Sequence, residues 1–306
     1  RQGTWSVLSG PPGCLGGTFS TNNPAKYPNP ANDPDAIFTG DAGLYELQWD
    51  VNGCTDTVNI TLTTCNTIDF DGVDDHVDFK NNYDLNSAFS IEVWVKSELN
   101  SSGIQTILSK RDANTLNGNG YDLRLKNRRI SFNWNNGGSI VSNYNIDTDR
   151  WYHVAVTFDG STYKLYIDGI EVATPVGASA PSTNNFDCLL GAMDKNGKPL
   201  YYFNGWIDEL RIWNKALNIE HIHQMMNQRI KSSPTIAGNV QGEILPLDIK
   251  GPDANSDTVD DDPILWSNLQ GYYRMDNTGC GNLLPYNGIG FDGKLKNINS
   301  AQPDSA

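Results

Sequence analysis

The chain is short of basic residues, glutamate, histidine and long apolar runs, and each shortage closes off a class of function. Only 22 Lys and Arg stand against 36 Asp and Glu in 306 residues, giving a formal net charge of −14. Neutralising a phosphate backbone needs basic patches, so nucleic acid is excluded as a partner. No stretch approaches the ~18 apolar residues of a membrane span, and Arg1-Gln-Gly-Thr-Trp-Ser6 lacks the apolar core of a secretory leader. The piece is therefore expected to be soluble and internal to something longer. Its five cysteines (Cys14, Cys54, Cys65, Cys188, Cys280) include no Cys-x-x-Cys pair, which argues against zinc. An odd number leaves one thiol free or paired outside the fragment, and the spacing alone does not give a disulfide connectivity. Gly-x-Ser-x-Gly, P-loop and dinucleotide fingerprints are absent. Among the four histidines, His221 and His223 are two apart and so not on one helical face.

What is present is acid of one kind: 29 Asp against seven Glu, with 35 Asn. Asp and Asn suit turns and oxygen ligation better than helices or strands, a composition for a loop-rich, calcium-rich exterior protein. Two stretches stand out, Ile68-Asp-Phe-Asp-Gly-Val-Asp-Asp-His-Val-Asp-Phe79 and Phe203-Asn-Gly-Trp-Ile-Asp-Glu-Leu-Arg-Ile-Trp213. Period-two alternation places Trp206, Leu210 and Ile212 on one strand face and drops Asp208 among them. A carboxylate there costs several kcal/mol unless it is paired, hydrogen-bonded or metal-bound.

Three regions follow. Residues 1–66 are short strands divided by Gly, Pro and Asn. Residues 67–230 are the most regular: Ser90–Lys96 alternates Ile91, Val93 and Val95 against Glu92, Trp94 and Lys96, a half-buried strand. The Asp159-Gly160 and Asp168-Gly169 pairs predict two hairpins and a three-strand meander. An apolar stripe of Leu217, Ile222, Met225, Met226 and Ile230 predicts a helix over 215–230 lying on the sheet. Residues 231–306 return to coil and short strand, including an acidic loop.

Phe70-Asp-Gly-Val-Asp-Asp-His-Val77, Ser90-Ile-Glu-Val-Trp-Val95, Trp151-Tyr-His-Val-Ala-Val-Thr-Phe-Asp-Gly160, Leu165-Tyr-Ile-Asp-Gly169 and Phe203–Leu217 resemble the successive blocks of laminin-G-like, concanavalin A-like jelly-roll domains. The resemblance covers about half the chain and implies an all-β, antiparallel two-sheet sandwich used for recognition, often with calcium. Gly3-Thr-Trp-Ser6, Phe38–Trp49 and Asn52–Asp56 resemble the later strands of immunoglobulin-like or PKD-like spacers of large bacterial surface proteins, so residues 1–66 are expected to be a partial module of that kind. Gly271-Tyr-Tyr-Arg-Met275 and Asp292-Gly-Lys-Leu-Lys296 are similar to strands that precede the Phe-Asp-Gly block in many relatives. Residues 265–298 are accordingly expected to dock on the 67–230 sandwich; the rival is the start of a second module.

The resemblance also implies a structural calcium shared by Asp208 and Asp71; the alternative is that Asp208 caps a backbone amide or pairs with an Arg. At the laminin-type rim position, just before Tyr121, this chain has Gly120, which puts that site in doubt, although Asp112, Asn117, Asn119 and Asp122 are near in sequence. A third candidate is local: Asp253, Asn255, Asp257 and Asp261 fall at positions 1, 3, 5 and 9 of a calcium-type loop that lacks the usual Gly and final acid.

The related glycosidases carry Glu-x-Asp-x-x-Glu or a similar motif, and none of Glu46, Glu92, Glu98, Glu171, Glu209, Glu220 or Glu243 has such neighbours. The expected function is non-catalytic binding of a glycan or surface protein at the bacterial cell surface or outside the cell, stabilised by calcium; a purely structural stalk is the alternative. Arg129, Trp134, Asn135, Asn136, Tyr144, Tyr201 and Tyr202 are the aromatic and amide-rich candidates for ligand contact, set against the alternative that such aromatics fill the core.

Overall fold

The structure, a computed structural model, describes residues 3–10, 17–40, 43–62, 68–99, 103–113, 118–135, 137–252, 262–276, 278–279 and 281–298. Asn136 and the loop residues Asp253, Asn255, Asp257 and Asp261 lie outside the described residues, as do Cys14, Cys65 and Cys280.

The first region forms a three-stranded antiparallel sheet of Thr4–Ser9, Gly43–Val51 and Cys54–Leu62, with Thr18–Ser20 and Ile37–Thr39 pairing separately. Asn52 and Gly53, both at positive φ, make the tight hairpin. An aromatic chain fills this small core: Trp49, Trp5, Phe19, Phe38 and Tyr45 follow one another at ring separations of 5.0–6.4 Å.

The larger body is two facing antiparallel sheets. One runs Ile170–Glu171, Thr162–Ile167, Tyr152–Phe158, Phe89–Ser97, Asn204–Trp213, Leu269–Tyr273, with Ile68–Asp71 also pairing Asn204–Trp213. The other runs Gly138–Val141, Arg129–Trp134, Tyr121–Lys126, Ile104–Lys110, Leu189–Leu190, His76–Asp78, Gly293–Lys296, Asn282–Leu283, Thr278–Gly279. The predicted alternation is realised: Ile91, Val93 and Val95 meet Val154, Val156, Leu108, Leu123 and Phe132 in the core between the sheets. Of the two Asp-Gly pairs, only Asp168-Gly169 has both residues at positive φ; at Asp159-Gly160 the Asp159 carboxylate instead accepts from the Ser161 and Thr162 amides.

The segment after the helix lends Leu269–Tyr273 to the first sheet and three short strands, Thr278–Gly279, Asn282–Leu283 and Gly293–Lys296, to the second. Leu210 and Tyr273 are register partners at one junction, Leu295 and Val77 at the other. Tyr83 and Tyr273 meet hydroxyl to hydroxyl between them, and the Tyr273 hydroxyl donates to the Phe291 carbonyl at 2.6 Å.

The helix is shorter than its stripe predicts, Ile219–Met225. Asn218 caps it by accepting from the His221 amide at 2.9 Å, which turns the preceding residues out of the helix. Ile230 belongs to a two-stranded pairing with Gly242 rather than to the helix. Helix and flanking chain cover the outer face of the first sheet, burying Trp213, Leu217, Ile222, Met225, Ile230 and Tyr272 in a second apolar cluster.

Candidate functional site

Asp208 does not face the core with Leu210 and Ile212. Register against the neighbouring strand jumps from Asp208 opposite Trp94 to Arg211 opposite Glu92, so one extra residue bulges there, and Glu209 takes φ 49°. The bulge reverses the alternation. Ile207, Leu210 and Ile212 enter the sandwich core, while Trp206, Asp208, Arg211 and Trp213 take the outer face. The shared cation with Asp71 is corrected with it. Asp71 is opposite Asn204, four residues along the strand from Asp208. At about 3.3 Å per residue that separates them by roughly 13 Å, far beyond the ~2.3–2.6 Å bonds of one calcium.

The Asp208 carboxylate instead accepts from the Glu209 amide at 2.7 Å, the amide-capping alternative. Burial, with the adjacent Glu209 charge, pushes its pKa up to about 7, against the smaller pull of Arg229. The sign follows directly: the folded state holds this proton up to about pH 7, the unfolded chain only to about 3.8, so stability is lost as pH rises between them. Asp208→Asn is expected to be more stable than the parent at pH 8 by about 1–3 kcal/mol and nearly equal to it at pH 4.5. Urea unfolding at both pH values tests this, and equal stability at pH 8 would refute it.

A different carboxylate group does converge. Where Ile68–Asp71 ends, Gly72 at φ 76° turns the chain back so that Asp71, Asp74 and Asp75 bring oxygens within 4.8 Å of one another. Asp71 Oδ1 accepts from the Val73 and Asp74 amides at 2.7 and 3.2 Å, and Asp75 Oδ2 accepts from the Asp71 amide at 2.9 Å. The Asn204 side chain pins the loop by donating to the Asp71 carbonyl at 2.8 Å. Burial, then the Asp71 and Asp74 charges, push the Asp75 carboxyl up to about 6 despite that amide bond. Three acids so placed suit a hard divalent cation, with carbonyls and water completing six to eight oxygens. The predicted ligand residue Tyr202 is at this rim: its ring is 6.1 Å from that of His76, and after burial the Asp74 and Asp71 charges raise its hydroxyl pKa. Tyr201 precedes it, half-buried, at φ 56°. Sequence reasoning chose Asp71 and passed over Asp74 and Asp75; the signal was three acids within five residues around a glycine.

The other predicted ligand residues do not join this group. Trp134 is 3% exposed and stacks on Tyr163 at 3.8 Å, so it is core. Asn135 is a latch between loops, donating to the Ala180 carbonyl at 2.9 Å and accepting from the Ser182 amide at 2.7 Å. Arg129 and Tyr144 are exposed, Arg129 at the far end of the strand that carries Trp134. At the laminin-type position, Gly120 has φ 97°, and a Cβ there would stand 2.1 Å from the Lys110 carbonyl oxygen. An aspartate has no room at this position. Asp122 is fully buried and engaged by Arg111 at 3.0 Å and Asn133 at 2.9 Å, the centre of a polar network.

A second concavity opens on the outer face where the helix segment ends, a cleft of about 420 Å³ lined by Trp94, Trp151, Asp208, Glu209, Met226 and Arg229 among others.

Two antiparallel sheets with an acidic loop at one rim define a lectin-type jelly roll. Residues 71–223, half of the chain, match the model of the concanavalin A-like lectin/glucanases superfamily, and the chain belongs to that family. No curated protein matches it in sequence. Among solved structures, a Bacteroides ovatus protein proposed to bind carbohydrate aligns over 98% of this chain and 92% of its own, with a TM-score of 0.53 at 13% identity. The carbohydrate-binding module CBM40 of a Ruminococcus gnavus intramolecular trans-sialidase aligns over 52% and 97%, at 0.43 and 14%. Domains LG4-5 of the mouse laminin α1 chain align over 62% and 53%, at 0.40 and 15%.

Proposed function

We propose that the chain is a non-catalytic, calcium-stabilised recognition module that binds a glycan, or a glycan-bearing surface protein, outside the bacterial cell. The observation that carries this reading is the loop on which Asp71, Asp74 and Asp75 converge beside Tyr202. Calcium there would both order the rim and offer open positions to sugar hydroxyls, with the tyrosine as an apolar face. Membership of a lectin/glucanase family supports the ligand class. None of the seven Glu stands in a glycosidase-type Glu-x-Asp-x-x-Glu pattern, which supports binding over turnover. The N-terminal sheets serve in this reading as a spacer between modules.

A glycan array with calcium and with chelator tests it. Binding is expected only with calcium, and lost in Asp74→Asn. In 10 mM calcium the melting temperature is expected to rise by about 5–10 °C over the chelated protein. That assumes a dissociation constant near ~0.1 mM, typical of extracellular modules, and so about 2.7 kcal/mol of linkage. No array signal in either condition, with the fold intact, would favour a structural stalk. Polysaccharide turnover abolished by changing one Glu would overturn the reading altogether.

A further inference from the structure

The outer-face cleft poses a charge problem that no described residue solves. Three ionisable groups line it, Asp208, Glu209 and Arg229, and two are accounted for. Glu209 takes Arg211 at 2.8 Å and the Tyr272 hydroxyl at 2.7 Å, with Arg229 at 3.6 Å. Arg229 is held by Asp276 at 2.8 Å. Asp208 has no cation within ion-pair distance among the described residues, and its one hydrogen bond there is from the Glu209 amide. A desolvated carboxylate without a counter-ion is costly.

The walls around it suit a particular answer. Trp94, fixed by donating its indole N–H to the Met226 carbonyl at 2.8 Å, and Trp151 both line the cleft half-buried. Ile244 lines its rim 69% exposed, and Leu245 and Leu247 follow at 63% and 71%. This aromatic surface already holds one ammonium within the molecule: Lys96 Nζ lies 5.7 Å from the centre of the Trp151 ring and 5.1 Å from that of Trp206. Indole faces attract cations, most strongly when desolvated.

We propose that the cleft binds a primary alkylammonium of the kind a lysine side chain presents, its charge against Asp208 and Trp151 and its methylene stem along Trp94, Met226 and the Ile244 rim. This site is separate from the acidic loop of the proposed glycan function, and neither depends on the other. The charged and titratable groups around Asp208 are Glu209 on its own strand, Arg229 beyond the helix, Asp276 beyond Leu269–Tyr273, and, on the neighbouring strands, Lys96 and His153 flanking Trp94. Because Asp208 must ionise to take the cation and titrates near pH 7, binding and deprotonation are coupled.

The test titrates the full chain with Nα-acetyl-lysinamide and with its uncharged counterpart Nα-acetyl-norleucinamide, following tryptophan fluorescence in the presence of chelator. Saturable quenching by the lysine compound is expected at pH 8, at least tenfold tighter than by norleucine and about tenfold weaker at pH 6. Asp208→Asn should lose at least tenfold and flatten the pH profile, and Trp151→Leu should lose affinity while keeping the pH profile; thermal melts confirm that each is folded. No saturation with the lysine compound, equal binding of the two compounds, or an unchanged Asp208→Asn would each overturn the proposal. A glycan array that fails leaves this result unaffected, so the two readings fail separately.

Discussion

Replacing Arg211 by methionine is expected to lower the free energy of unfolding by about 3–5 kcal/mol, the loss typical of breaking a buried ion pair from one side. Arg211 is 1% exposed and ties three elements together. Its guanidinium donates to the Met225 carbonyl at 3.0 Å, to the Gln228 carbonyl at 2.6 Å and to Glu209 at 2.8 Å. Although burial opposes its charge, Tyr272, Glu209 and Glu92 hold it protonated. Glu92, fully buried one strand away, is kept ionised against its own burial by His153 and Arg211, and accepts from the Trp213 indole at 2.9 Å. Methionine matches the apolar stem but takes the guanidinium from the Gln228 carbonyl, leaves the Met225 carbonyl only the Gln228 amide, and leaves Glu209 and Glu92 short of a cation. Urea unfolding measures the change, and a loss below about 1 kcal/mol would mean that this network does not hold the helix segment to the sheet.

Gly205→Ala is expected to be of similar size, about 2–6 kcal/mol, from backbone strain and forced overlap together. Gly205 has φ +127°, and a Cβ there would lie 2.1 Å from the Lys96 carbonyl oxygen and 3.0 Å from the Glu98 amide nitrogen. The strands at this point are paired, Gly205 opposite Ser97 on one side and Phe70 on the other, so neither neighbour can retreat without breaking a ladder. Because Asn204 next to it pins the acidic loop, the same change should weaken the calcium binding proposed for that loop. Calorimetric melting with and without calcium reads both effects; a variant with parental melting behaviour would show that the strand bends freely here.

The sheet framework was legible because its signal is local. The alternation of Ser90–Lys96 and the Asp168-Gly169 turn specify strand and hairpin from a few adjacent residues, and the block from Phe203 to Leu217 carries the family. The site was legible only in part. Asp71 and Tyr202 are 131 positions apart, and nothing local announces that they share a rim. Trp134 shows the converse error: an aromatic among amides has the composition of a sugar site, yet its face is taken by Tyr163 from a strand that sequence proximity does not reveal.

Asp208 marks the boundary most sharply. Sequence alone determined that an acid interrupts an apolar strand and that the interruption needs a partner. Only the tertiary structure decided which face it takes, because one bulged residue inverts a period-two pattern and no composition rule counts bulges in advance. It moved Asp208 from a core shared with Asp71 to an outer cleft between Trp94 and Arg229, and gathered the Asp71, Asp74 and Asp75 carboxylates at the rim. The residues were fixed by the chain; their partners were fixed by register.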